Sequence, residues 1–237
     1  MSKTISYQRP DGQRVNGYLA EPAGVAGAAG IVVIQEWWGL NDQIRGVADK
    51  LAAAGYRALV PDLYRGRVAL EAHEAEHLMK DLNFGDAAGQ DVRGAVQYLK
   101  ASGSRRVGVT GFCMGGRFTF FTACRNPTVT AAAPFYGGGI GSVMAPSERT
   151  PKAPLEYAEG LQAALLLFFG GDDPFIPLEE VERIKARLAA LGKRADTIVY
   201  PGAPHGFFCE DRESYRADAA QDAWQRLLTF FDRHLRS

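Results

Sequence analysis

The chain has 237 residues, 46% of them hydrophobic and 23% charged, which is an ordinary globular composition for one α/β domain covering residues 1–237. Its 27 Lys plus Arg balance 27 Asp plus Glu, so no overall field draws it to nucleic acid or to an anionic membrane, and a small-molecule substrate is expected instead. Three cysteines without regular spacing make neither a disulfide framework nor a zinc site, and no apolar run is long enough to span a bilayer; a reducing cytoplasm is the expected location.

In chain order, Thr4 to Ala20 alternates polar and apolar residues around the turn dipeptide Asp11-Gly12, predicting a hairpin or meander. A loop of small residues, Ala23 to Gly30, leads to Ile31–Ile34, a β-branched run suited to a strand buried on both faces. Asn41 is placed to cap a helix whose apolar positions Ile44, Val47, Ala48 and Leu51 share one face, and Gly55 ends it. The rhythm continues with a strand Tyr56–Val60, a helix near Asp86–Ala101, a strand Arg106–Thr110, a helix after Cys113, and strands Val129–Phe135 and Leu165–Phe169. A helix Leu178–Leu191, a strand Thr197–Tyr200 and a helix Glu213–His234 complete it. Such alternation predicts a doubly wound, mostly parallel sheet with helices on both faces.

The stretch Val107 to Gly116, VGVTGFCMGG, reads as a buried strand running into a tight turn with Cys113 at its tip. Gly111, Cys113 and Gly115 occupy the places of the G-x-S-x-G nucleophile elbow, with sulfur replacing oxygen. Side chains at the flanking positions would collide with the neighbouring strand and helix, which favours glycine at both. The helix beginning near Arg117 points its positive end at the sulfur and favours the thiolate. In sheets of this kind, chemistry collects on loops beyond the carboxyl ends of the strands. Two such loops carry the missing partners: GGDDPFIP, with Asp172 and Asp173, and PGAPHGFF, with His205. Nucleophile, acid, histidine is the chain order of the α/β-hydrolase triad.

With these pieces in view, the chain resembles the dienelactone hydrolase (carboxymethylenebutenolidase) family of α/β hydrolases from about Thr4 to Leu235. The likeness rests on QEWWGLNDQIR, VPDLYRG, GFCMGG, FYG, GGDDPFIP and PHGFF. It implies an α/β-hydrolase fold without cofactor or metal, acting on activated esters or enol lactones. It also implies Cys113 as nucleophile, His205 as base and Asp173 as orienting carboxylate, with Asp172 the alternative acid. By the same resemblance, Glu36 contacts the thiol at rest and helps to deliver the thiolate. The oxyanion is expected on the backbone N–H groups of Trp37 and Met114, with Tyr136, Phe207, Cys209 and Arg212 around the substrate.

The family's two carboxylate-gripping arginines are not matched. Cys209 stands at one position, and His73, His77 and Lys80 lie near the other; Arg212 is the expected partner of a substrate carboxylate or of Glu36. A cysteine esterase or thioesterase of another substrate, or a hydrolase fold kept for ligand binding, are the alternatives, and a monomer or small homo-oligomer is expected. His73-Glu74-Ala75-Glu76-His77 also satisfies H-E-x-x-H, but it has no third ligand at metalloprotease spacing and reads as a charged, solvent-facing helix.

Overall fold

The computed structural model describes residues 1–24, 27–142 and 152–236, so Val25 and Ala26 of the expected small-residue loop lie outside the described residues. Eight strands form one sheet in the order β1-β2-β4-β3-β5-β6-β7-β8. The strands are β1 (Ser2–Gln8), β2 (Arg14–Ala20), β3 (Gly30–Ile34), β4 (Arg57–Pro61), β5 (Val107–Phe112), β6 (Ala131–Phe135), β7 (Ala164–Gly170) and β8 (Ala195–Tyr200). The first pair is the expected hairpin, with Ser2 opposite Ala20, and β2 runs antiparallel to β4; all other pairings are parallel. Strands β3 to β7 are buried along their whole length, which accounts for the continuous apolar runs that mark them in the sequence.

The described α-helices are α1 (Asp42–Ala53), α2 (Ala72–Asp81), the single turn α3 (Phe84–Asp86), α4 (Arg93–Ala101), α5 (Met114–Arg125), α6 (Leu178–Ala190) and α7 (Ala217–Leu235). From β3 the chain crosses to β4 on one side, and from β4 it returns past β3 to β5 on the other. Right-handed crossovers in opposite directions put α1 and α4 on opposite faces of the sheet, and the reversal opens a crevice beyond the carboxyl ends of β3 and β5.

The α1 caps follow the sequence closely. Asn41 accepts a hydrogen bond from the Ile44 N–H (3.2 Å). At the other end Gly55, at φ +90°, donates to Ala52 and Tyr56 donates to Leu51, a Schellman closure. Tyr56 is thereby spent on the cap, so β4 starts at Arg57, one residue later than its apolar pattern suggests.

Two other segments depart from expectation. The helix expected near Asp86–Ala101 contains a π-helical stretch, Ala87–Val92, before α4. There Asp91, 1% exposed, accepts from Arg65 (2.9 Å) and Arg9 (3.2 Å), so an ion cluster around a buried carboxylate joins this stretch to the hairpin and to the loop after β4. The last helix begins at Ala217, not Glu213, because the Arg216 N–H donates to Phe207 O and the Tyr215 N–H to Arg212 O. Those turns fasten the end of the histidine loop instead of extending the helix.

Glycines set how closely α5 approaches the sheet. A Cβ on Gly115 would lie 2.3 Å from Ile34 O and 2.6 Å from Gln35 O, both backbone atoms that no side-chain rotation can move. A Cβ on Gly46, inside α1, would meet nothing within 4 Å. Gly115→Ala is therefore expected to destabilise the protein by roughly 3 kcal/mol or more. Gly46→Ala should stabilise it by about 0.5–1 kcal/mol, because alanine loses less conformational freedom in a helix. Thermal melts of the two variants check this, and equal melting temperatures would show that the elbow tolerates separation from β3.

Candidate active site

Cys113 sits between β5 and α5 at φ 54° and ψ −116°, a conformation costly for any residue with a Cβ. The turn is held by several contacts. The Cys113 N–H donates to Phe135 O (3.1 Å), and the N–H groups of Gly116 and Arg117 donate to Cys113 O. A Cβ on Gly111 would lie 2.5 Å from Gly115 O, which is the collision with the helix after Cys113 anticipated from sequence. The sulfur is thus lifted to the sheet's carboxyl edge at the N-terminus of α5, where unpaired N–H groups favour negative charge.

The loops after β7 and β8 bring up the other two residues. Asp173 Oδ2 lies 2.7 Å from His205 Nδ1, and Asp173 Oδ1 accepts from the Phe175 N–H (2.8 Å). The Asp173 side chain has no exposed surface, whereas Asp172 is exposed and contributes a backbone hydrogen bond to Ala203 O. An ionised carboxylate only accepts, so the Nδ1 position carries the hydrogen and Nε2 is left for Cys113. Burial pulls the His205 pKa down, but hydrogen bonds with Asp173 and with Cys113 outweigh it and raise the value from 6.5 to about 10. The arrangement favours a protonated imidazolium at His205 across the neutral range.

Glu36, 2% exposed, stands two residues beyond β3 on the opposite flank. No hydrogen bond joins it to the Cys113 thiol, and the pairing with Arg212, one of the two expected for that arginine, is made instead. Arg212 donates to Glu36 Oε2, while Oε1 is buried with no hydrogen-bond partner. A full positive charge is a stronger partner for a carboxylate than a weakly polar S–H. Burial opposes the charge on Arg212, but Glu36 holds its pKa above the ordinary value. The guanidinium also lies 5.7 Å from the Trp38 ring centre. The next turn is closed by the Gly39 N–H to Glu36 O, with Trp37 and Trp38 as its central residues, so the Trp37 N–H is not spent on closing it. Met114 opens α5, where an N–H has no partner within the helix.

Tyr136 is fully buried at φ 34°, with its ring edge-on to His205 (5.1 Å) and its hydroxyl without a hydrogen-bond partner. Burial and the nearby Glu36 and Cys113 push its pKa well up, so it remains a neutral donor. Phe207 differs from expectation: it has no exposed surface and packs between Tyr136 and Tyr200, a core role rather than a place against substrate. Cys209 is 2% exposed, and burial, more than the opposing Arg212 charge, raises its pKa.

Two residues were not anticipated. Phe175, 64% exposed, stands edge-on to His205 at 5.2 Å, and Tyr64 reaches the elbow from the loop after β4. Phe175 lies inside the quoted GGDDPFIP stretch and Tyr64 inside VPDLYRG, so the signal available was their place in loops at the carboxyl edge.

The H-E-x-x-H residues lie elsewhere, on α2, which is exposed except for Ala75 and Leu78. His73 pairs with Glu71 at 3.3 Å, Glu74 accepts from the Leu70 N–H, and Glu76 pairs with Lys80. Among the described residues no group of three or more His, Cys, Asp or Glu is arranged to hold a metal ion, and no helix is long and apolar enough to cross a membrane.

The profile of the dienelactone hydrolase family matches residues 15–235. A provisionally named carboxymethylenebutenolidase of Synechocystis sp. is 36% identical over 233 residues, covering 94% of this chain and 93% of that protein. One from Methylorubrum extorquens is 37% identical over 224 residues, covering 92% and 76%. Among solved structures, a provisionally named dienelactone hydrolase from Klebsiella pneumoniae superposes with a TM-score of 0.89 at 30% identity, covering 99% of this chain and 100% of that one. A dienelactone hydrolase-like promiscuous phosphotriesterase from metagenomic libraries gives 0.84 at 23% identity over 99% and 98%, a likeness of fold.

Proposed function

We propose, for a chain that belongs to the dienelactone hydrolase family and is a carboxylic ester hydrolase, a Cys113 acyl-enzyme mechanism acting on activated esters and enol lactones. The observation that carries this reading is the 2.7 Å Asp173–His205 pair beside a cysteine on a strained, glycine-flanked elbow. The Cys113 thiolate attacks the carbonyl carbon, forming a C–S bond, and the carbonyl electron pair moves to oxygen. The oxyanion is held by the N–H groups of Trp37 and Met114. As the intermediate collapses, the C–O bond to the leaving group breaks and His205 gives its Nε2 proton to the departing oxygen. Water then attacks the thioester while His205 takes a proton from it, and the acid leaves as the thiolate re-forms.

The electrostatics suit both halves. At rest Cys113 helps to hold His205 protonated, as the leaving group requires. Acylation turns the sulfur into a neutral thioester and removes that support. The His205 pKa then falls, and the neutral imidazole needed as a base for water appears at the step that uses it.

Sulfur also narrows the substrate class. A thiolate leaves the tetrahedral intermediate more readily than an alkoxide, so attack on a simple alkyl ester reverts. An enol lactone or aryl ester expels a stabilised oxyanion and goes forward. Turnover of a panel of enol lactones, aryl esters, thioesters and alkyl esters tests this, and equal rates on ethyl and aryl esters would contradict a sulfur nucleophile.

Glu36 sets the charge balance around the thiol. In Glu36→Gln, Arg212 loses its compensating carboxylate and its positive charge favours the thiolate. Alkylation of Cys113 by iodoacetamide near pH 6–7 should rise about 3- to 10-fold, corresponding to half to one pKa unit. Turnover should fall, because the amide accepts no proton and Arg212 has lost its anchor. A variant that alkylates no faster and turns over normally would make Glu36 a structural residue.

A further inference from the structure

We propose that Tyr64 is a third donor of the oxyanion site, a side-chain hydroxyl that binds the substrate carbonyl oxygen as it becomes negative. The inference rests on the cysteine-hydrolase reading above and adds a residue to it. Tyr64 is 2% exposed, and among the described residues its hydroxyl has one hydrogen-bond partner, the thioether sulfur of Met114 at 3.5 Å. A thioether is a weak acceptor, and a buried hydroxyl left with a weak partner costs stability that a phenylalanine would not. The position is nevertheless at the elbow: Met114, which the hydroxyl touches, follows Cys113 in the chain, and a negative charge on Cys113 acts on the phenol. Burial, reinforced by that charge, raises the pKa of the phenol, so it stays a protonated donor through the working range.

The direction of approach selects the carbonyl oxygen over the leaving group. In the sheet, β4 lies beyond β3 on one side of β5, while β6, β7 and β8 lie on the other. His205, after β8, comes from the second side and faces the leaving group. Tyr64, after β4, comes from the first side, where the Trp37 N–H is held. Its ring lies close to Gly39, since a Cβ there would be 3.3 Å from Tyr64 Cδ2, so the phenol shares a wall with the turn that carries Trp37.

The phenol is also fixed in place, as a preorganised donor must be. Asp62 accepts from the Tyr64 N–H (3.2 Å) and the Gly66 N–H (2.5 Å), and Gln35, next to Glu36, accepts from the Leu63 N–H (3.2 Å). Arg65, at φ 57°, anchors the far side of the loop on Asp91 and Asp62 O. When the Cys113 sulfur adds to the carbonyl, the hydroxyl turns from Met114 to the new oxyanion without movement of the backbone.

Tyr64→Phe keeps the ring and its packing and removes only the donor. With p-nitrophenyl acetate, kcat should fall by about 10- to 100-fold, somewhat below the loss of a full oxyanion donor because two N–H groups remain. KM should change less than about 3-fold, and iodoacetamide should alkylate Cys113 at the wild-type rate, since the thiolate is untouched. Affinity for 1,1,1-trifluoroacetone, which forms an oxyanion on Cys113, should fall by about the same factor as kcat/KM. A variant with wild-type kcat and ketone affinity overturns the role of Tyr64 while leaving the cysteine mechanism standing. Loss of activity together with alkylation also overturns it, by showing that the residue only supports the elbow. A wild-type enzyme that forms no acyl-enzyme with the ester overturns both.

Discussion

Cys113→Ala is expected to abolish ester hydrolysis, with kcat lowered by at least roughly 10⁴-fold, while the protein melts within a few degrees of wild type. The substitution removes one sulfur and leaves the Cβ, so the strain at φ 54° is the same in both proteins. The turn itself is held by backbone bonds from Cys113, Gly116 and Arg117 and by the absence of a Cβ at Gly111 and Gly115, none of which the variant alters. His205 loses the sulfur that raises its pKa, so its titration should move down toward neutral, and a proton NMR titration of the ring reads this independently of activity. A variant that keeps most of its hydrolysis would mean that water is activated directly, without an acyl-enzyme.

Asp173→Asn is expected to lower kcat/KM by on the order of 10³- to 10⁴-fold, the range seen when a triad carboxylate becomes an amide. The Asp173 carboxylate accepts from His205 Nδ1 at 2.7 Å and from the Phe175 N–H at 2.8 Å, so it fixes both the ring and the loop. An amide can offer an N–H to Nδ1, which favours the wrong tautomer and puts the hydrogen on Nε2, facing the sulfur. The lost negative charge also lowers the His205 pKa, so its imidazolium is confined to lower pH and the activity profile narrows from its alkaline side. Asp172→Asn should stay within about 2-fold of wild type, because that side chain is exposed and its structural contact is through the backbone N–H. The reverse ranking would reassign the acid.

Much of this site is legible in the sequence for local reasons. The elbow is a steric statement: Gly111 and Gly115 stand where a Cβ would strike backbone, and the chain records that directly. The order Cys113, Asp173, His205 and the burial of β3, β5 and β7 follow from strand periodicity and from the rule that loops at carboxyl ends carry chemistry. The choice between Asp172 and Asp173 is less local. Neighbours in sequence, they differ in which way the loop turns their side chains, and one is exposed where the other is sealed.

Periodicity, caps and glycine sterics act over a few residues, so the sequence by itself determined the alternation of strands and helices, the α1 caps, the elbow and the candidates for its three chemical groups. Only the tertiary structure decided what those groups face. Of the two partners the sequence offered for Arg212, the fold selects Glu36, 176 positions away, because an arginine outcompetes a thiol for a carboxylate once the histidine loop folds against the β3 edge. That loop holds residues 212–216 in turns, which moves the start of α7 to Ala217, and packs Phe207 into the core. Tyr64 meets Met114 across 50 positions because β4 and β5 flank β3, a fact of strand order to which no local pattern in either segment refers.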